Sequence, residues 1–175
     1  KNFSGLTGCL TFVDSKLDIS KIYVNNSKCE DALNIIRSEG KINEIKISNS
    51  ISDGLDIDFS KIFIKNLYSK NSKNDCADFS YGNYKINKVV LENCGDKGIS
   101  IGEGSNINSN LININQSNIG IAAKDSSEFF SNNVKINNSK ICLSAYNKKQ
   151  EFGGGYMNIE NFKCENYQEA IKVDT

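Results

Sequence analysis

The chain has 175 residues, with 21 basic and 21 acidic side chains and neither histidine nor tryptophan. A net charge of zero gives no general pull on nucleic-acid phosphates or an anionic membrane, and no apolar run reaches the roughly 18 residues of a membrane-spanning helix. Without histidine there is no histidine metal site, no Ser-His-Asp or Cys-His nucleophile and no imidazole base.

Residues 1–175 are enough for one domain with a real core. From the beginning, Lys1 to Leu10 lacks the apolar segment of a secretory leader, so any leader lies outside this numbering. Then a repeat begins. Asp31-Ala-Leu-Asn-Ile35, Asp53-Gly-Leu-Asp-Ile57, Asp75-Cys-Ala-Asp-Phe79, Lys97-Gly-Ile-Ser-Ile101, Ile119-Gly-Ile-Ala-Ala123 and Ile141-Cys-Leu-Ser-Ala145 each start 22 residues after the last. Glu169-Ala-Ile-Lys-Val173 follows a longer interval, and Cys9-Leu-Thr-Phe12 fits ahead if one coil is a residue longer.

The columns of this alignment have consistent chemistry. Ala32, Gly54, Cys76, Gly98, Gly120, Cys142 and Ala170 are small, and the next column, from Leu33 to Ile171, is apolar. The column after that is mostly polar, and the one beyond it apolar again, which is the period-two alternation of a strand. A second alternating stretch lies about ten residues before each copy, as in Ile45-Lys-Ile47, Val89-Val-Leu91, Ile112-Asn-Ile114 and Val134-Lys-Ile136. Two short strands and their Asn-, Ser- and Gly-rich turns leave no room for a long helix in each repeat, so coils must stack on coils. The fold class predicted is all-β, a right-handed parallel β-helix of about seven coils. The leucine-rich repeat is the rival with a similar period, but it lacks a second strand and spaces its asparagine differently.

Asn49, Asn71, Asn93, Asn115 and Asn137 share the same spacing and are predicted to form an inward ladder of amides bonded from rung to rung. The six cysteines fall into pairs in adjacent coils: Cys9 with Cys29, Cys76 with Cys94, and Cys142 with Cys164. Rungs roughly 4.8 Å apart bring such pairs near the roughly 4.4 to 6.8 Å that a disulfide allows; three pairs of buried free thiols are the alternative. Three bridges imply an oxidising compartment, extracellular, cell-surface or periplasmic.

These coils, aliphatic stacks and asparagine column resemble the pectin-lyase-like parallel β-helix superfamily from about Leu10 to Val173. The phrases Ser72-Lys-Asn-Asp-Cys76, Cys94-Gly-Asp-Lys-Gly98 and Ala145-Tyr-Asn-Lys-Lys-Gln-Glu-Phe-Gly-Gly154 more faintly resemble β-helical segments attached to spore-coat-H-like kinase domains of bacterial surface proteins, though no kinase motif is present.

Asp56 and Asp78 are outward neighbours in adjacent coils, Asp58 shares their face, and Asp53 and Asp75 lie at its edge. Like charges so close need a counterion or a raised pKa, and an oxygen-only set suits Ca2+. The resemblance implies a polysaccharide-lyase site in which such a cation neutralises a uronate, with Lys124 as base and Tyr146 as proton donor. The Asp-Asp and Gly-His-Gly motifs of polygalacturonases are absent, and a solvated polar face explains the same residues. Lys97 beside Asp75 reads as a rung-to-rung ion pair, worth under about 1 kcal/mol if exposed. Asn2-Phe-Ser, Asn25-Asn-Ser, Asn115-Gln-Ser and Asn137-Asn-Ser match the N-glycosylation pattern, and Gly153-Gly-Gly155 reads as a protruding loop.

The leading expectation is a secreted or surface-displayed bacterial module for carbohydrate binding, adhesion or scaffolding. Polysaccharide lyase chemistry using Asp56, Asp58, Asp78 and Lys124 is the alternative. Assembly with copies of itself into a filament, or membership of a longer chain, follows from the lack of an obvious cap at either end.

Overall fold

A computed structural model describes residues 6–174. The Asn2 glycosylation pattern lies outside them. Thirteen strands follow one another without a helix among the described residues. Short strands β1 (Gly8–Val13), β3 (Asp31–Ile36), β5 (Asp53–Asp58), β7 (Ala77–Ser80), β9 (Lys97–Gly102) and β13 (Glu169–Val173) alternate with long strands β2 (Lys16–Asn25), β4 (Glu39–Ser50), β6 (Lys61–Ser72), β8 (Asn83–Cys94) and β12 (Tyr156–Glu165). β10 (Asn106–Lys124) and β11 (Glu128–Tyr146) each run through a long strand and the short one after it. All pairings are parallel and join each strand to its equivalent one turn away, giving a solenoid of about six full turns.

The predicted columns are the observed ones. Leu10, Leu33, Leu55, Ala77, Ile99, Ile121, Leu143 and Ile171 stand in one register, and Phe12, Ile35, Ile57, Phe79, Ile101, Ala123, Ala145 and Val173 in another. The small column has a steric cause: a Cβ at Gly54 would stand 2.6 Å from the carbonyl oxygen of Cys76 on the next rung. Each long strand also bends at its middle. In β6, Ile62 and Ile64 point inward, Lys65 and Asn66 both point outward, and Leu67 and Ser69 return to the core, so the cross-section has three sides.

The asparagine column is a correction. Asn49, Asn71 and Asn93 do bond in series, with Asn71 Nδ2 on Asn49 Oδ1 and Asn93 Nδ2 on Asn71 Oδ1, both at 2.9 Å. They lie outside the core rather than in it, at a corner where φ is 59°, 57° and 54°. Asparagine suits this left-handed conformation because its short amide satisfies the local backbone. The inward corner column is the next residue along, Ser27, Ser50, Ser72, Cys94, Ser117 and Ser139, all buried. Asn115 and Asn137 are not in the ladder's register: Gln116 and Asn138 hold the left-handed positions. Gly104, at φ 65°, adds one residue to the preceding turn and displaces the later long strands by one place. The serines of the Asn25, Asn115 and Asn137 glycosylation patterns, Ser27, Ser117 and Ser139, are turned into this buried column.

Replacing Asn71 by alanine puts an ordinary side chain in the left-handed region and breaks two rungs. A loss of about 1–2 kcal/mol is expected, read as a lower urea midpoint, whereas Asn71→Gly keeps the backbone free and loses less. Equal losses for the two variants would refute the conformational account.

The three disulfides join the predicted pairs, Cys9–Cys29, Cys76–Cys94 and Cys142–Cys164, with Cα separations of 5.3, 5.4 and 6.3 Å. Each bridge ties neighbouring coils.

Candidate functional site

The face built by the short strands carries the charges. Between its two inward columns runs an outward row, Asn34, Asp56, Asp78, Ser100, Ala122 and Ser144, one residue per rung and therefore about 4.8 Å apart. Asp58 and Ser80 form a parallel row beside it. One edge is a staircase of aspartates that accept the backbone of the next rung: Asp75 N donates to Asp53 Oδ1 at 2.7 Å, and Lys97 N to Asp75 Oδ1 at 2.9 Å. The opposite edge is a second left-handed corner, occupied in turn by Asp14, Arg37, Phe59, Tyr81, Glu103 and Asp125.

The sequence therefore places Asp56, Asp58 and Asp78 together, as expected. Asp56 and Asp78 adjoin along the solenoid axis, Asp58 stands beside Asp56 on the same strand, and among the described residues no group of three acidic or other ligand side chains is placed to hold a metal ion. Burial, and then the charge of Asp58, push the Asp56 carboxyl up to about 8. Burial followed by Asp78 and Glu103 pushes Asp58 up to about 6, and burial pushes Asp31 to about 6 as well. Desolvation dominates in each case, since a carboxylate leaving water loses more than nearby amides return.

Lys97 and Asp75 form the expected rung-to-rung ion pair, and it is largely buried. Nζ lies 3.4 Å from Asp75 Oδ1, also meets Asp96, and the two side chains are 15% and 4% exposed. Burial alone would lower Lys97, but Asp75 and Asp96 outweigh it and hold the ammonium above its ordinary value.

Lys124 and Tyr146 are register partners at the far end of the same face. Lys124 is 6% exposed, and its Nζ donates to Ser100 Oγ at 2.6 Å. Its side chain runs back across Gly102, where a Cβ would stand 2.9 Å from Cε. Tyr146 is half-buried; burial raises its phenol, and the Lys97 charge acts against that. The two lysines and Tyr146 thus close the C-terminal half of the face, while the N-terminal half stays acidic and more open.

The loop 147–155 folds back along the corner instead of protruding. Asp125, fully buried, accepts the amides of Lys148 and Lys149 at 2.7 and 2.8 Å. Lys149 Nζ lies 2.6 Å from Glu103 Oε1, and Ser80 Oγ donates to Glu103 Oε2 at 2.7 Å. Burial would raise Glu103, but these two partners hold it below the usual range. Phe152 meets Tyr81 edge-on at 6.3 Å.

Sequence reasoning missed the aromatic pair on the same rim. Phe59 and Tyr81 stack with centroids 4.6 Å apart and planes 5° from parallel, although both hold left-handed backbones, φ 50° and 49°. They remain 55% and 41% exposed. Bulky aromatics are rare in that conformation, and the signal was available: these positions also recur at 22 residues. The pair forms part of the wall of a cleft of about 460 Å³ with Arg37, Lys61 and Asn83, on the side of the corner where the long strands begin. Compared with known proteins, the chain matches no family model, no curated protein and no solved structure.

Proposed function

We propose that this chain is an extracellular carbohydrate-binding module that lays an extended glycan along the short-strand face. The observation that carries the reading is the Phe59–Tyr81 stack, left exposed at the edge of the face on the residues that follow Asp58 and Ser80. The left-handed backbone is shared by the whole corner, and at Phe59 and Tyr81 it leaves two aromatic rings turned toward solvent. Tyr81 covers one face of Phe59, so the surface left open lies on the other face and the edges. Sugars are recognised by such apolar surfaces with a few fixed polar groups alongside. Three disulfides and no free cysteine among the described residues fit an oxidising environment. Lyase chemistry would need the Lys124 amine to reach a sugar proton, whereas its Nζ is buried against Ser100.

The double variant Phe59→Asn/Tyr81→Asn tests this, because asparagine tolerates the left-handed corner. Affinity electrophoresis through gels of neutral, acidic and amino polysaccharides should show retardation of the native protein, with binding weakened by about ten-fold or more in the variant, equivalent to about 1.4 kcal/mol. Its melting curve should stay cooperative. Unretarded migration of the native protein in every gel, or undiminished binding by the variant, would refute the proposal.

A further inference from the structure

We infer that the side of the solenoid built by the first halves of the long strands is a second glycan-binding face, for a chain bearing sulfate esters. It uses other residues than the short-strand face and does not depend on that reading.

Phe63 stands at its centre, 37% exposed. Side chains two places apart on a strand share a face, so Lys61 and Lys65 flank the ring along β6. The register sets Lys41 of β4 and Lys85 of β8 on its two other sides. All four lysines are exposed. Lys41 meets Asp18 at 3.5 Å, whereas the salt bridges among the described residues include neither Lys61, Lys65 nor Lys85. The ring itself is uncovered, since the aromatic pairs and the lysine–ring contacts of the described residues lie elsewhere. Beside it runs a cleft of about 770 Å³, into which Lys61, Lys85 and the amides of Asn83, Asn106 and Asn108 are gathered.

Three unpaired ammonium groups around an open ring call for an anion that also has an apolar surface. The charges do not converge. Lys41 and Lys85 are two rungs apart, roughly 10 Å, and Lys61 and Lys65 are four residues apart, roughly 13 Å. A small free anion would reach one of them; a polymer with charges at intervals reaches several at once. Side-chain chemistry then selects the anion. Arg37 is the chain's one arginine, and Asp14 engages it through two hydrogen bonds at 2.8 and 2.9 Å. The planar fork that matches a carboxylate is therefore taken. Lysine is a compact point charge with three rotatable donors, suited to the tetrahedral oxygens of a sulfate ester. Between the charges a sugar ring can lay its C–H face on Phe63 and share its hydroxyls with the amides, which both donate and accept. A single-stranded nucleic acid would seek successive rings for successive bases, and the next ring in this row, Phe130, is three rungs away.

The test is calorimetry with the full chain near pH 7, against a short dextran sulfate, the unsulfated dextran of the same length, an oligogalacturonate and a single-stranded oligothymidylate. The dextran sulfate is expected to bind at least about ten-fold tighter than each of the other three, and to weaken as salt is raised. Lys61→Gln/Lys85→Gln should weaken it by about ten-fold or more, and Phe63→Ser by about three-fold with the salt dependence kept. Lys28→Gln/Lys73→Gln removes the same charge from exposed residues just past the ends of β2 and β6. That control should stay within about two-fold of the native affinity. All three variants should melt as the native protein does, because each altered side chain is exposed. Equal weakening by the two lysine pairs would mean attraction to overall charge and would overturn the inference. Binding of the unsulfated dextran, the uronate or the oligothymidylate as tightly as the dextran sulfate would overturn it too.

Discussion

Stability in urea is expected to fall as the pH rises from about 5 to about 9, the reverse of the usual behaviour of carboxylates held in ion pairs. The folded Asp56 holds its proton up to about 8, and Asp31 and Asp58 up to about 6, against an ordinary value of 3.8. Between the unfolded and folded values the native state binds protons that the unfolded chain has lost, so the derivative of unfolding free energy with pH is negative. The stabilisation is fully present below about 4 and is lost as the pH passes through the window from about 6 to about 8. Discounted for partial solvent screening, a loss of about 2 kcal/mol is expected. Asp56→Asn, which keeps the shape and removes the ionisation, should flatten much of the slope and be more stable than the native protein at the alkaline end. A midpoint that rises with pH would show that the acidic row is ionised and compensated in the free protein.

Removing the Cys76–Cys94 bridge is the second large effect. Both cysteines are buried in the middle of the solenoid and the bridge closes a loop with a sequence separation of 18. On the chain-entropy account a loop of this size contributes about 3 kcal/mol. The variant Cys76→Ala/Cys94→Ala should unfold in one transition at lower urea, since the coils on both sides depend on this one. Removing Cys142–Cys164 should act differently. That bridge fastens the last coil, whose strands β12 and β13 pair on one side alone and expose Ile171 and Val173. Hydrogen exchange should then show the last coil opening while the middle stays protected. Uniform loss of protection in both variants would indicate a solenoid that unfolds as a single unit.

Much of the architecture was legible because stacking fixes a period. A residue placed over its equivalent one turn away must share that neighbour's burial, so aliphatic columns such as Leu33–Leu55 repeat visibly, and cysteines in adjacent coils pair with their neighbours. Direction at a corner was not legible. Asn71 and Ser72 are adjacent and both polar; the column reveals the repeat, but only the left-handed backbone shows that the asparagine points out and the serine in. The single residue Gly104 then shifted Asn115 and Asn137 off the ladder, and the following corner is one residue shorter, so the short-strand columns keep their spacing.

The site was partly legible for related reasons. Aspartates on successive strands had to adjoin, and they do. A lysine is long enough to leave its own rung, however, and Lys124 folds back to Ser100, which no column could show. The rim that carries Phe59 and Tyr81 was hidden because its members, Asp14, Arg37, Phe59, Tyr81, Glu103 and Asp125, share a backbone conformation and no side-chain chemistry.

The spacing of the strand partners bears on how such a chain reaches its native state. Lys16 pairs with Glu39, Asn106 with Glu128, and Glu128 with Tyr156, separations of 23, 22 and 28 residues taken from their numbers. No strand waits for a segment much farther along than one turn, so the entropy of bringing partners together is nearly the same for every coil and does not grow with the total number of coils. Once one pair of coils has formed, each later coil adds to a finished template. A chain threading outward through a pore, first residue leading, could therefore assemble in the order it emerges, with each cystine closing behind the advancing edge.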